Sequence, residues 1–486
     1  MKMDSLSLLC DFYQLTMAYA YWKEGLADRQ SAFHLFFRRP PFKGGFTVAC
    51  GLEAVVEFIN NFAVNASDLA YLRSLQTPKG APVFENAFLD MLASLKLEVS
   101  VDAVVEGTLV FPHEPLLRVE GPLLQCQLLE SALLNLMNFP TLIATKAARV
   151  CLAAEGDPVM EFGLRRAQGL DGAMTASRAS YVGGCVSTSN VLAGKTFGIP
   201  VQGTHAHSWV MAFDEEEEAF KAYAKIYPDA AVLLVDTYDT IEGVKKAIHV
   251  GLWLKKRGHN LVGVRLDSGD LAQLSIETRK LLDAAGLQEV KIVASNELDE
   301  IVISELKRQG AKISIWGVGT SLVTGKDQAA LDGVYKLSAL QDAKGVWKYK
   351  LKLSEQLTKV SNPGRLQVKR YSKNGQFAGD VMYDLELGLP DAKGNIDPFD
   401  PTKQISFEAG FTAEELLVPI FRRGVQVYDL PTLPAIQAQT KRQLQLLPVG
   451  MRRFLNPHVY PVGMEKGLYD LKVRLIKKIR KSSRGE

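Results

Sequence analysis

The sequence is poor in the features that mark disulfide-rich, metal-binding and membrane-spanning proteins. Its 486 residues include five cysteines, which stand singly, with no C-x-x-C pair and no histidine at zinc-ligand spacing. Such sparse cysteines are typical of a reducing compartment, in which we expect buried, unpaired thiols. The most apolar stretch, between Glu130 and Lys146, is interrupted by asparagine and proline and falls short of the ~20 residues that a membrane span needs. The N-terminal apolar stretch is too short for a signal-peptide core, so we expect a cytoplasmic protein.

The sequence also lacks an excess of charge of either sign. Its 57 lysines and arginines nearly balance 54 aspartates and glutamates, which leaves a net charge of +3. No global field is therefore available to hold nucleic acid or an anionic membrane, and phosphate must be recognised by local groups. The hydrophobic fraction of 47% argues against a disordered chain.

Three regions of different pattern divide the chain. Residues 1–121 mix helical and strand-like pieces and predict an α+β domain. Residues 122–338 repeat strand, loop and helix about every 25 to 30 residues, which predicts an α/β domain with an irregular barrel of six strands. Residues 339–486 turn to short strands with turn signals and then to a basic helix.

The predicted strands of the middle region end in polar residues. In parallel α/β folds the residues just past the carboxyl ends of the strands face the ligand. We therefore expect one site to be built from six such segments, which are 161–165, 203–207, 236–239, 265–270, 295–297 and 317–320.

The segment RLDSGDL brings a cation and two carboxylates into one strand-to-helix turn. Arg265 could bind a phosphate, and Asp267 could face sugar hydroxyls or a developing positive charge. Alternatively, Asp270 or Ser268 merely caps the following helix. We expect capping for one acid, but not for both acids and the arginine.

The segment GVGTSLVTGKD, which begins at Gly317, resembles a phosphate cradle but fails both common nucleotide fingerprints. Its spacing rules out a Walker P-loop, and it lacks the third glycine of a dinucleotide-binding loop. The remaining interpretation is a short glycine loop whose backbone N–H groups hold one phosphate. A tight turn without a ligand is the alternative.

Two further strand ends carry groups suited to catalysis and to binding a planar acid. In GTHAHSW, His205 and His207 lack a third ligand for a metal, so an acid/base or nucleophilic histidine is favoured over zinc, with a structural histidine as the alternative. In EFGLRRAQG, Phe162 could stack on a planar ring while Arg165 or Arg166 binds that ring's carboxylate. A core phenylalanine beside surface arginines is the alternative.

In this order along the chain, DFYQLTMAY, EFGLRRAQG, GTHAHSW, VDTYDT, RLDSGDL and GVGTSLVTG resemble the nicotinate phosphoribosyltransferases. That family makes nicotinate mononucleotide and pyrophosphate from nicotinate and 5-phosphoribosyl 1-pyrophosphate in NAD salvage, coupled to ATP hydrolysis. The resemblance implies a type II phosphoribosyltransferase-like barrel, a domain formed by the N- and C-terminal parts together, and a cytoplasmic homodimer with shared active sites. It also implies Mg²⁺ to neutralise the leaving group, with ligands that we do not assign, and ATP as co-substrate.

The resemblance also implies roles for individual residues. Tyr13 and Phe162 would sandwich the pyridine ring, with Tyr13 reaching the partner subunit's site, and Arg165 would face the nicotinate carboxylate. The remaining implied roles are phosphorylation by ATP for His207, orientation of that histidine for Asp236, phosphoribosyl contacts for Arg265 and Asp267, substrate binding for Ser189, and the 5-phosphate for Gly317, Gly319 and Thr320.

Two details bear on the choice of substrate and on a metal. No cysteine follows Cys185, so the zinc knuckle of some relatives is absent. The segment 187–190 (STSN) has no carboxylate to accept a carboxamide N–H, which favours nicotinate over nicotinamide. The alternatives are nicotinamide or quinolinate phosphoribosyl transfer, or a non-catalytic barrel that binds a nucleotide.

Overall fold

The computed structural model describes residues 6–356, 359–389, 394–407 and 410–482. The chain divides into two compact units, one formed by Met1–Leu142 with Ala330–Glu486 and the other by Ile143–Ala329. Both ends of the chain thus belong to the first unit. The division into domains 1–121, 122–338 and 339–486 stays a prediction.

The N-terminal part of the first unit alternates short strands with helices. The first helix is anchored by Gln14, whose side chain accepts the Asp11 N–H at 2.8 Å and donates to the carbonyls of Gln127 and Leu128 at 2.8 and 3.0 Å. In chain order the elements are α1 Phe12–Lys23, β1 Gln30–Phe36, β2 Thr47–Val48, α2 Leu52–Asn60, α3 Ala66–Ser74, α4 Asn86–Ala93, β3 Ser100–Val104, β4 Leu109–Val110, β5 Leu117–Pro122, α5 Leu123–Leu128 and α6 Glu130–Ala153, in which the unit boundary falls.

The second unit alternates strands and helices along the chain, as the apolar runs predict. Its elements are β6 Val159–Glu161, α7 Gly169–Gly183, β7 Ser187–Thr188, α8 Val191–Phe197, α9 His207–Met211, α10 Glu216–Ile226, β8 Val232–Leu234, α11 Thr240–Lys255, β9 Gly263–Leu266, α12 Leu271–Ala284, β10 Lys291–Ala294, α13 Glu300–Arg308, β11 Ile315–Val318 and α14 Thr320–Val323. The strands form one six-stranded sheet in the order β7-β6-β11-β10-β9-β8, and every pairing in it is parallel. The predicted α/β class is confirmed.

The sixth strand of this sheet differs from the prediction. The run Ile199–Thr204 contributes only an isolated bridge between Val201 and Thr188, and the strand beside β6 is the two-residue β7. Pro200 has no N–H to donate to a ladder, so pairing here is limited to its carbonyl, which accepts from Thr188 at 3.0 Å, and one bond from Gln202.

Aspartates at three strand-to-helix turns begin the helices that follow. Asp239, Asp270 and Asp299 are the N-cap residues of α11, α12 and α13, and each side chain accepts backbone N–H groups of the first helical turn. Of the two acids in RLDSGDL, Asp270 is therefore the capping residue, which leaves Asp267 for the site.

The C-terminal part of the chain is rich in strands, as its turn signals predict. Its elements are β12 Val334–Gln341, β13 Trp347–Tyr349, β14 Leu366–Lys373, β15 Gln376–Asp384, β16 Gly394–Ile396, β17 Gln404–Ser406, β18 Thr412–Glu415, β19 Leu417–Arg422, β20 Val425–Gln426, α15 Leu433–Leu446, β21 Val462–Met464 and α16 Lys466–Ser482. The β14–β15 hairpin turns at Asn374 and Gly375, both with positive φ.

Strands from both ends of the chain share one sheet of the first unit. This sheet has the order β13-β12-β1-β5-β3-β19-β20, in which β1 pairs with β12 and β3 with β19, both antiparallel. Its buried apolar residues form one large core cluster with those of neighbouring helices. The N-terminal segment therefore cannot complete its core without the C-terminal one.

None of the five cysteines, all within the described ranges, forms a disulfide; Cys50, Cys126 and Cys185 are buried, and Cys10 and Cys151 are partly buried. Burial raises the pKa of the Cys126 thiol to about 12, which suppresses its reactivity. None of the helices in the described ranges is long and apolar enough to span a membrane.

Candidate active site

A cavity of about 290 Å³ opens at the carboxyl ends of the parallel strands in the second unit. Five predicted strand-end segments contribute to its wall, and the sixth, 236–239, does not. The lining residues are Phe162, Arg165, Arg166, Ser189, Gly203, Thr204, His205, Ala206, His207, Leu234, Arg265, Asp267, Ser295, Asn296, Glu297, Gly317, Gly319 and Thr320. The structure thus brings together every residue predicted for the site except Asp236 and Tyr13.

Arg265, at the end of β9, ties the loops of the cavity together. Its Nε donates to Ser295 Oγ at 2.7 Å, its Nη1 to Thr204 Oγ1 at 2.9 Å and its Nη2 to Asp267 Oδ1 at 2.8 Å. Its guanidinium carbon also lies 5.6 Å from the centre of the Phe162 ring, within cation–π range. Four strand ends therefore meet at one planar cation, which only arginine can supply with donors in three directions.

Asp267 presents one carboxylate oxygen to this network and the other to His207. Its Oδ1 accepts from Arg265 and from the Ser295 hydroxyl. Its Oδ2 lies 3.9 Å from His207 Nε2, which is beyond hydrogen-bond length but close enough for charge to be felt. The other ring nitrogen of His207, Nδ1, is 3.2 Å from Thr237 Oγ1. His207 is thus held on one side, and its Nε2 is left for chemistry.

Asp236 contacts the turn that carries Asp267, and its predicted role in orienting His207 stays a prediction. Its Oδ2 accepts the Asp267 N–H at 3.0 Å and the Ser268 hydroxyl at 2.5 Å, whereas the groups beside His207 are Thr237 and Asp267. Asp236 lies two residues after Leu234, whose pairing with Arg265 is the last between β8 and β9, and its side chain contacts the turn that leaves β9. It therefore orients the turn that carries Asp267, and Thr237 orients His207.

His205 is the structural histidine of the GTHAHSW pair. It is 7% exposed, and its Nε2 accepts the Leu234 N–H at 3.2 Å, which ties the loop to β8. Its ring also meets Tyr223 edge-on with centroids 4.9 Å apart. Burial lowers the pKa of His205 to about 4, so the ring is neutral at physiological pH.

Phe162 and the glycine loop fit together closely. A Cβ at Gly317 would lie 2.7 Å from the Phe162 ring, and a Cβ at Gly319 would lie 3.2 Å from the Phe162 carbonyl oxygen. Only glycine at position 317 lets the ring lie against β11 at the cavity wall. The arginines that follow Phe162 form a short 3-10 turn, and both Arg165 and Arg166 are exposed and line the cavity.

The turn after β10 supplies lining residues to which we assigned no role from the sequence. Ser295 is 3% exposed and donates to Asp267, and Thr204 is the acceptor for Arg265 Nη1. Asn296 and Glu297 follow with φ of 93° and 39°, a conformation that non-glycine residues rarely adopt. Strain of this kind concentrates at functional sites. The sequence signal for Ser295, Asn296 and Glu297 is their position at the end of a strand.

Tyr13 lies in the other unit. It is on α1, its side chain is 46% exposed, and it is not among the residues that line the cavity. Its neighbour Phe12 is 55% exposed.

The carboxylates of the cavity do not form a metal cage. Within the residues that the structure describes there is no group of three or more His, Cys, Asp or Glu side chains that could hold a metal ion. The cavity wall offers two carboxylates, Asp267 and Glu297. This set does not suit structural zinc, but it fits Mg²⁺ that arrives with phosphate oxygens and keeps several waters.

Family models match three consecutive parts of the chain. The N-terminal domain of nicotinate phosphoribosyltransferase matches residues 8–138, the nicotinate phosphoribosyltransferase family model matches 158–362, and the C-terminal domain of that enzyme matches 365–472. Together these matches cover most of the chain, and the second contains the whole cavity wall.

Similar proteins agree with the family models. A nicotinate phosphoribosyltransferase of Bacillus subtilis is 43% identical over 99% of this chain and 97% of its own length, and a human one is 36% identical over 96% and 95%. The crystal structure of human nicotinic acid phosphoribosyltransferase superposes with a TM-score of 0.82 at 34% identity, covering 96% of this chain and all of that chain. A nicotinate-nucleotide pyrophosphorylase of Pyrococcus furiosus shares the fold, with a TM-score of 0.70 at 22% identity over 92% and 97% of the two chains. The predicted phosphoribosyltransferase-like fold is confirmed.

Because His205 is neutral in the folded protein, we expect the protein to lose stability at acid pH. Because its pKa in the folded protein, about 4, lies below the usual value near 6.5, the unfolded chain binds the proton first as the pH falls. Stability is therefore lost as the pH falls from about 6.5 towards 4. Between pH 7 and pH 5 the free energy of unfolding should fall in both proteins. We expect the fall to be about 1 to 2 kcal/mol smaller in His205→Gln than in the wild type.

Urea unfolding of both proteins at the two pH values measures this difference. Because His34 and His113 also have lowered pKa values, only the comparison isolates His205. An equal loss in both proteins would show that folding does not lower the pKa of His205.

Proposed function

The chain belongs to the nicotinate phosphoribosyltransferase family, and we propose that the one cavity around Arg265 serves both the transfer reaction and the use of ATP. The protein is a nicotinate phosphoribosyltransferase of pyridine nucleotide biosynthesis, and its substrates are nicotinate and 5-phosphoribosyl 1-pyrophosphate. The observation that carries the proposal is the meeting of Arg265, Asp267, His207 and the glycine loop in one cavity wall.

The sugar diphosphate occupies the part of the cavity between Arg265 and the glycine loop. The backbone and hydroxyl of Gly317, Gly319 and Thr320 hold the 5-phosphate, and Arg265 contributes the positive charge. Asp267 faces the ribose. When pyrophosphate leaves, positive charge develops on the ribosyl carbon, and a carboxylate already fixed by two hydrogen bonds stabilises it without reorganising.

Nicotinate lies with its ring against Phe162. The ring nitrogen is the nucleophile, so the edge of the ring must point at the ribosyl carbon. Stacking on an aromatic face holds the ring in this orientation and leaves the sugar free to rotate. Arg165, or its neighbour Arg166, binds the nicotinate carboxylate, and Ser189 offers a hydroxyl beside it. Because the side chains of Arg165 and Ser189 offer hydrogen-bond donors, this part of the cavity suits the anionic carboxylate of nicotinate better than the neutral carboxamide of nicotinamide.

ATP phosphorylates His207 at Nε2. The Nε2 lone pair attacks the γ-phosphorus, the bond from that phosphorus to the bridging oxygen breaks, and ADP leaves. Thr237 holds Nδ1, so the ring presents Nε2 to the cavity. Water later cleaves the phosphorus–nitrogen bond, which releases inorganic phosphate and restores the imidazole.

The position of Asp267 supports a route by which phosphorylation changes the affinity for the sugar. A phosphoryl group adds about −1.5 to −2 charge by analogy with other phosphorylated residues, and Asp267 Oδ2 lies only 3.9 Å from Nε2. Repulsion therefore acts on the carboxylate that Arg265 and Ser295 hold. Phosphorylation and hydrolysis would shift this group between two positions and thereby couple ATP to substrate binding.

Mg²⁺ fits the donor set of this cavity. Asp267 and Glu297 are the residues that would hold it, together with oxygens of the diphosphate. When bound, it neutralises charge on the departing pyrophosphate.

The proposed location is the cytoplasm. None of the five cysteines, all of which the structure describes, forms a disulfide, which is typical of a reducing compartment.

The proposed use of ATP predicts that the protein gains one phosphoryl group, on His207. After incubation with Mg²⁺ and ATP and a neutral quench, we expect intact-mass spectrometry to find one phosphoryl group on the wild type and none on His207→Ala. Transfer by His207→Ala should continue but lose its stimulation by ATP, because Arg265 and Asp267 carry the transfer chemistry.

His249→Ala is the matched control, because His249 is an exposed histidine of the same unit paired with Glu217 and outside the cavity. A phosphoryl group that persists in His207→Ala would place the modification elsewhere and refute this use of ATP.

A homodimer with shared sites is supported by exposed apolar side chains in both units. Beside the cavity segments, Leu170 is 65%, Val191 is 69% and Leu192 is 52% exposed. On α1, Phe12 and Tyr13 are exposed as well. Large apolar side chains as exposed as these are covered when they lie in an interface between subunits. We propose that Tyr13 of one subunit covers the nicotinate in the cavity of the other.

The shared site predicts complementation between two inactive variants. Tyr13→Ala keeps the cavity, and Asp267→Asn keeps Tyr13, so a mixed dimer contains one intact site. After random subunit exchange we expect about a quarter of the wild-type activity, because half of the dimers are mixed and one of their two sites is whole.

Mixing Asp267→Asn with Arg265→Ala is the control, since both changes damage the same cavity and no intact site can form. If the Tyr13→Ala mixture recovers no more activity than this control, Tyr13 does not complete a partner's site.

A further inference from the structure

Glu161 is a buried carboxylate that the reaction does not use directly. It is the last residue of β6, it is 0% exposed, and it does not line the cavity. In the part of the chain that the structure describes, no lysine, arginine or histidine forms an ion pair with it, and its hydrogen-bond donors are neutral. Burying a carboxylate without a counter-charge is costly, so its retention indicates a specific task.

The oxygens of Glu161 join three segments of the second unit. One oxygen, Oε1, accepts the N–H of Gly163 in the loop after β6. The other, Oε2, accepts the Ser177 hydroxyl of α7 at 3.0 Å and the Thr188 hydroxyl of β7 at 2.5 Å. Thr188 Oγ1 in turn accepts the Asn190 N–H at 2.9 Å.

The residues next to these contacts are the ones that face the nicotinate. Phe162 lies between Glu161 and Gly163, and its N–H donates to the Val318 carbonyl at 2.8 Å. Ser189 follows Thr188, and its N–H donates to the Glu161 carbonyl at 2.9 Å. Glu161 thus holds the chain on both sides of the pyridine subsite through its side chain and its backbone.

The length and charge of the side chain both matter to this arrangement. Three donors converge on two carboxylate oxygens, so an amide, with one acceptor oxygen and an N–H₂ group, must leave one donor poorly matched. Aspartate is shorter by one methylene and cannot reach the loop and β7 together without moving one of them. Hydrogen bonds from neutral donors to a charged group are stronger than those to a neutral one.

We infer that Glu161 is a positioning residue that sets the distance between Phe162 and Ser189 and thereby the affinity of the site for the planar acid. This inference rests on the proposed stacking of nicotinate on Phe162. The Glu161 side chain makes no hydrogen bond to Arg265, Asp267 or the glycine loop, so we expect it to act more strongly on nicotinate than on the sugar diphosphate.

The test compares Michaelis constants of full-length variants for the two substrates separately. We expect Glu161→Asp to raise the KM for nicotinate at least about tenfold and that for the sugar diphosphate less than about threefold, because the pyridine subsite is displaced more than the Arg265 network. Glu161→Gln should lie between Glu161→Asp and the wild type. Glu300→Gln is the matched control, because Glu300 is another buried glutamate of this unit, paired with Lys146 and Arg149 away from the cavity.

A second pair of variants keeps the test valid if Glu161→Asp does not fold. Thr188 is 0% exposed and outside the cavity wall, and its hydroxyl contacts Glu161, Ser177 and the Asn190 N–H, so any effect that it has on nicotinate is indirect. Thr188→Val removes the hydroxyl that donates to Glu161 with little change of shape, and we expect the KM for nicotinate to rise several-fold. Thr188→Ser keeps the hydroxyl and should restore the wild-type value.

Phe162→Ala separates failure of this inference from failure of the proposed stacking. If Phe162→Ala raises the KM for nicotinate but the Glu161 and Thr188 variants do not, or if they change both Michaelis constants by the same factor as Glu300→Gln, Glu161 is only structural and the inference is overturned. If Phe162→Ala itself leaves the KM for nicotinate unchanged, the stacking is wrong and the inference falls with it.

Discussion

The guanidinium of Arg265 is the interaction on which the cavity depends. Three of its donors are used by Ser295, Thr204 and Asp267, which come from three different strand-end loops, and its face lies over Phe162 on a fourth. Because one planar cation satisfies all of them, the cavity is preformed before a substrate enters.

The site contains two histidines and two aspartates, and the two members of each pair have different roles. His205 and His207 are two residues apart, yet the first is buried and neutral while the second faces the cavity and Asp267. Asp267 meets the substrate space, and Asp236 holds the backbone of the turn that carries it. His205 and Asp236 hold the backbone of their loops, whereas His207 and Asp267 face the cavity.

The ends of the strands could be predicted from the sequence, because short apolar runs that stop at polar residues recur at regular intervals along the chain. Arg265, Asp267, His207 and the glycine loop were found in this way. The partner of His207 could not be predicted, because which loop faces it depends on the order of strands in the sheet and not on the order in the chain. The same holds for Thr204 and Ser295, whose hydroxyls carry no sequence signature, and for the two-residue β7, which is too short to show alternation.

The most direct test of a cavity organised by Arg265 is the kcat/KM for 5-phosphoribosyl 1-pyrophosphate of Arg265→Lys. Lysine keeps the charge but cannot donate along three directions from a plane, so the loops lose their common partner. We expect a fall of about 100-fold, which corresponds to about 2.7 kcal/mol of transition-state stabilisation, with the folded state retained by circular dichroism. A kcat/KM within about threefold of the wild type would show that charge alone suffices and that Arg265 does not organise the site.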